Sequence, residues 1–110
     1  MTQELVSPLR EAILRAAISH TVGDRNEQYG PPYNNLSACA QLFTTYLTSK
    51  FHGTTLDENT FYLTAEDVAW FNVLQKIART FRGEPKSDTY SDAAAYAAIA
   101  YECAAKERRL

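Results

Sequence analysis

The sequence predicts an all-α fold, a compact bundle of about four helices with a long polar loop between the first and the second. Apolar residues recur at helical spacing in four segments, and the breakers, four Gly and four Pro in 110 residues, fall between those segments or at their starts. Ser7-Pro8 reads as a helix start, with Ser as N-cap and Pro at the first helical position; Leu9, Ile13, Ala16 and Ala17 follow at helical spacing until Gly23 ends the helix. After the loop, Asn34 or Asn35 caps a second helix whose stripe is Leu36, Ala40, Phe43 and Leu47, fading between Lys50 and Gly53. Residues 54–63 mix Thr, Phe and Tyr, which favour extended chain, with Asp57, Glu58 and Asn59, which favour a turn, and are expected to form a loop. Thr64-Ala65-Glu66-Asp67 matches a capping box and opens a third helix that runs to about Arg82, where Gly83-Glu84-Pro85 stops it. Ser87 or Asp88 caps the last helix, which continues through a run of alanines to roughly Lys106; residues 1–6 and 107–110 are expected to fray.

One domain accounts for the length, with room for a modest core. A hydrophobic fraction of 45% and a charged fraction of 22% are those of an ordinary globular chain. The net charge of -2 lacks the basic surplus on which nucleic-acid binders depend, so no nucleic-acid partner is expected. No stretch is apolar for long enough to span a membrane, and the N-terminus lacks the pattern of a signal peptide. Cys39 and Cys103 stand apart, with neither CxxC nor zinc spacing, and read as small buried thiols of a reducing compartment. The expected location is the cytoplasm.

Residues 24–35, DRNEQYGPPYNN, hold more chemistry than a chain reversal needs. Arg25 offers a planar fork that suits phosphate, Tyr29 and Tyr33 offer faces on which a base stacks, and Asn34 and Asn35 supply amides that read a base edge or a ribose. Gly30 permits a positive φ, and Pro31-Pro32 stiffens the approach. The plain alternative is a stiffened link whose polar groups are solvated and whose tyrosines staple onto the core.

On the third helix Trp70, Val73, Leu74, Ile77 and Phe81 point one way, and Asn72, Lys76 and Arg79 share another stripe. On the fourth, Asp88, Asp92, Tyr96, Ile99 and Cys103 fall on one face among alanines that let a neighbouring backbone approach. The short link at 83–87 makes these helices antiparallel neighbours, so the two acids can meet Lys76 and Arg79. That arrangement is either an ion-pair network that fixes register, or a site in which Asp88 and Asp92 hold Mg2+ while the cations grip phosphate. Asp67 is accounted for by its capping box. His20 lies near the end of the first helix, where the helix dipole favours a cation, and His52 lies in a loop; neither has a metal-ligand partner at i+4. No GxSxG, Walker, HExxH or Rossmann pattern occurs, and Ser37 and Ser91 have no nearby His to activate them.

Three blocks in order, DRxxxYGxPxxN, DVAxxxVLxKIAR and DxxxDxxxYAA, are carried by Asp24, Arg25, Tyr29, Gly30, Pro32 and Asn35, then Asp67, Val68, Lys76 and Arg79, then Asp88, Asp92 and Tyr96. In these the chain resembles a family of small helical proteins of unknown function encoded by tailed phages and prophages, which implies a phage origin and a compact helical fold but brings no established activity. A looser likeness is to the MazG-type all-helical nucleotide pyrophosphohydrolases, which hold Mg2+ on carboxylates of antiparallel helices. Their ExxE plus ExxD arrangement is absent, since the second helix, LSACAQLFTTYLTSK, carries no acid.

The leading expectation is a phage-type cytosolic protein that binds a nucleotide or nucleotide-derived signal through Arg25, Tyr29, Tyr33, Asn35, Asn72, Lys76, Arg79 and Tyr96. It needs no cofactor and sequesters the ligand against a host defence. The enzyme alternative is Mg2+-dependent nucleotide pyrophosphohydrolysis, with the metal on Asp88 and Asp92, aided by Asp67 or Glu27. A third reading is an inhibitor that binds a host defence protein through its surface. Trp70, Phe71, Phe81, Tyr90, Tyr101 and the alanine-rich last helix offer apolar surface on more than one face. They predict a homo-oligomer, a dimer or a pair of dimers, with helix three or four at the interface; the alternative makes the last helix the centre of a monomer.

Overall fold

Helix α1 spans Thr2–Thr21, α2 Pro32–Lys50, α3 Ala65–Arg79 and α4 Ser87–Arg108 in the computed structural model. It describes residues 2–22, 31–54, 56 and 60–108, with side chains in α1 from Pro8 onward. No strand occurs among the described residues, and the fold is all-α.

The helix ends show which local signals governed. Helix α1 starts at Thr2, so Pro8 lies inside it and not at its first position. Gln3, Glu4 and Leu5 are good helix formers, and continuing through them outweighs the one main-chain hydrogen bond that Pro8 gives up. Helix α2 also corrects its expected cap. Pro31, extended at φ -61° and ψ 140°, is the N-cap and Pro32 opens the helix, which places Asn34 and Asn35 inside the first turn. A fixed φ and a missing N–H suit proline to that place better than an Asn cap.

Helix α3 is capped as its sequence predicts. The Thr64 hydroxyl accepts from the Asp67 N–H at 3.2 Å, and the Asp67 carboxylate accepts from the Thr64 N–H at 2.9 Å. A second carboxylate arrives from α4, where Glu107 accepts from the N–H groups of Ala65 at 2.9 Å and Glu66 at 3.3 Å. The N–H groups that open α3 are thereby satisfied from both sides. The helix ends at Arg79, short of Arg82, because Thr80 donates its hydroxyl to the Ile77 carbonyl and the chain then turns through Gly83 at φ 78°. Before α3, the Leu63 N–H donates to the Thr44 hydroxyl at 2.9 Å, which pins the connection to α2.

Helix α4 packs against all three others, and α2 also packs against α3. The core is Leu36 and Ala40 from α2, Ala65, Val68 and Ala69 from α3, and Ile99, Ala100 and Cys103 from α4, with Tyr33, Cys39, Leu63 and Tyr96 against it. These are mostly small residues, and the largest fully buried side chains are Cys103 and Ser91. Small residues let α3 and α4 approach closely, at the cost of burying little apolar area. From the expected stripes, Ala17 is buried but Leu9 and Phe43 remain exposed. The molecule measures 59 × 33 × 27 Å and exposes 8373 Å². Both cysteines are free thiols. Burial, with Glu107 nearby, pushes the Cys103 thiol up to about 11.

Candidate functional site

The turn between α3 and α4 sets the end of α3 beside the first turns of α4, and there the expected contact forms. Lys76 Nζ lies 3.2 Å from Asp92 Oδ2, with the lysine side chain only 13% exposed. From α1, His20 Nε2 lies 3.6 Å from Asp92 Oδ1 and 3.4 Å from Ser91 Oγ. One carboxylate therefore ties α1 and α3 to α4.

Ser91 does have a histidine at hand, contrary to the reading of the sequence, because the fold returns the end of α1 to α4. The contact is not a catalytic triad. Ser91 and Asp92 both meet Nε2, whereas a triad needs the acid on one ring nitrogen and the hydroxyl on the other. Ser91 is also buried and donates to the Asp88 carbonyl at 3.2 Å. The arrangement anchors helices instead of activating an oxygen.

Arg79, Asp88 and Asp92 line a pocket of about 540 Å³ at this turn, together with Arg82, Lys86 and Tyr90. Among the described residues no carboxylate pairs with Arg79, Arg82 or Lys86. Asp88 and Asp92 stand one turn apart on the pocket wall, and the Lys76 ammonium sits against Asp92. No group of three or more His, Cys, Asp or Glu side chains gathers with metal-binding geometry among the described residues.

The other expected residues are dispersed. Asn72 is half-buried one turn before Lys76 and donates to the Val68 carbonyl at 3.0 Å. Tyr96 is half-buried against the core. Asn35 is exposed in the first turn of α2. Tyr33 packs on the core with the Lys106 ammonium 5.4 Å from its ring centre. Lys106 lies roughly 21 Å beyond Asp92 along α4, at about 1.5 Å per residue, so one chain does not bring Tyr33 to Lys76. Arg25, Tyr29 and Glu27 lie outside the described residues. The sequence reading missed Arg82 and Lys86. Their signal was present in the segment Arg82-Gly83-Glu84-Pro85-Lys86, whose Gly and Pro mark a turn and whose flanking cations extend the Lys76/Arg79 stripe.

No curated protein and no solved structure matches the chain significantly. No described helix is long and apolar enough to cross a membrane. The sequence profile of a domain of unknown function matches residues 12–104, which reach from α1 almost to the end of α4 and include every residue of the α3–α4 pocket, and the chain belongs to that family, DUF6378.

Proposed function

We propose that the protein binds a nucleotide or nucleotide-derived signal by its phosphates at the α3–α4 turn and holds it without reacting it. The observation that carries this reading is the division of the cations. Lys76 is matched by Asp92, while Arg79, Arg82 and Lys86 line one pocket with no carboxylate partner among the described residues. Guanidinium forks suit bidentate contact with phosphate, and Tyr90 on the same wall offers a ring face to a base. In the phage setting that the sequence resemblance implies, binding without chemistry would sequester a signal of host defence in the cytoplasm.

Calorimetry with nucleoside triphosphates and cyclic nucleotides tests the binding. Binding to wild type that weakens at least about tenfold in Arg79→Ala or Arg82→Ala is expected, the scale of one charge-assisted phosphate contact. Silence across the panel from folded protein overturns the reading.

Asp88 and Asp92 on the same wall favour a second reading, in which their carboxylate oxygens hold Mg2+ and the arginines stabilise a phosphate under attack by water. Mg2+-dependent release of pyrophosphate, abolished by Asp88→Asn, would establish it in place of simple binding.

A further inference from the structure

The outer side of α3 is an apolar surface that the fold leaves without a partner among the described residues. Trp70, Leu74 and Ile77, continued by Phe81 in the following turn, recur at spacings of four, three and four, the repeat of a helix seam. They lie opposite the buried Ala65, Val68 and Ala69, and between 43% and 76% of each is exposed. At 100° per residue the same side takes in Phe71 and Ala78 and no charged residue from 70 to 81. We propose that this face is the seam of a homodimer, in which α3 packs antiparallel against α3 of a second copy.

Surface area argues for a partner of this size. A compact monomer of 12.4 kDa exposes about 6,100 Å², and this chain exposes 8373 Å². The excess of roughly 2,300 Å², of which the α3 face is one part beside exposed apolar residues of α1 and α2, is of the order that each chain of an obligate homodimer hides. The core points the same way, since no aromatic side chain among the described residues is fully buried. Between Trp70 and Phe81 the face carries no charge, and the one acid at its start, Glu66, accepts from the Trp70 indole N–H at 3.1 Å and is matched by Arg108 at 2.8 Å within the chain, so two copies can meet without opposing unmatched like charges, as a two-fold interface requires.

Charge selects the orientation. The first turn of α3 carries Glu66 and Asp67, and its last turn carries Lys76 and Arg79. Parallel packing would set acids beside acids and align the two helix dipoles. Antiparallel packing opposes the dipoles and sets Trp70 of one copy against Phe81 of the other, with Leu74 against Ile77.

Trp70 is the only tryptophan, so the unmodified chain reports on its own seam. Sedimentation of wild type should give twice the single-chain mass of 12.4 kDa. Tryptophan emission should be that of a shielded indole and should shift to the red as dilution halves the mass. Leu74→Glu should dissociate at concentrations where wild type is dimeric, while Tyr101→Glu, on the exposed side of α4, should keep the dimer. A wild-type mass of one chain at micromolar concentration overturns the proposal. So does any assembly in which the Trp70 emission remains that of an exposed indole, a result that stands even if Leu74→Glu fails to fold.

Discussion

The inner side of α3 sets Val68, Ala69, Asn72 and Lys76 against its neighbours, while its outer side sets Trp70, Leu74, Ile77 and Phe81 toward solvent. The bulkier apolar groups are thus on the outside. The reason lies in what α4 presents. Ala100 is buried in one cluster with Ala65, Val68 and Ala69, so small residues meet small residues there, and Asp92 gives a lysine its counter-charge. The inner side is specified by fit and pairing, the outer by apolar area. Specificity within the chain lies on one side of the helix, and most of its exposed apolar area lies on the other.

The sharpest way to break this contrast is to put bulk on the inner side. Ala69 is fully buried, and Ala69→Leu should destabilise by about 3 kcal/mol or more, the upper range for overpacking, as read by urea denaturation. If the chain absorbs that leucine with little loss, the inner contact is not set by fit. Removing the charge partner should cost less. Asp92→Ala leaves Lys76 nearly buried without its carboxylate and frees His20, for about 2 kcal/mol after allowance for the partial exposure of Asp92. Arg79→Ala, one turn further on, should leave the denaturation midpoint near wild type, since Arg79 is exposed and has no carboxylate partner among the described residues.

At the start of α3, Asp67→Ala breaks the capping box and should cost about 1 kcal/mol in the same measurement. Stability should also depend on pH. Cys103 faces the core from α4, and its thiol holds its proton up to about 11 in the folded chain, against 9.0 for a cysteine surrounded by water. The unfolded chain releases that proton first, so this contribution is intact below pH 9 and is lost as pH rises through 11. Denaturation midpoints of wild type should therefore fall more steeply across that interval than those of Cys103→Ala, and parallel slopes would remove the thiol from the account.

The parts of the molecule legible in the sequence rest on local geometry. The four helices, the Thr64/Asp67 box and the approach of Lys76 to Asp92 all follow from spacing within a helix or across one short turn. The position of α1 against Asp92 depends on contacts between residues 20 and 92, which no local pattern encodes, and so the neighbours of Ser91 were misread. The sidedness of α3 was legible as two stripes. Which stripe faces α4 depends on the depth of the alanine surface opposite, a property of two helices together. Pro8 and Pro31 were misplaced because proline is compatible with more than one position near a helix start, and neighbouring helix formers decide between them.

Glu107 and its neighbour Arg108, which lies 2.8 Å from Glu66, close the end of the α3–α4 pair that has no connecting turn. This has a consequence for how the chain is made on a ribosome. The N–H of Ala65 receives its acceptor from a residue 42 positions later, so α3 leaves the exit tunnel long before its start can be completed. A helix of 15 residues is marginal alone. The carboxylate that completes its start therefore becomes available only after nearly all of α4 has been synthesised.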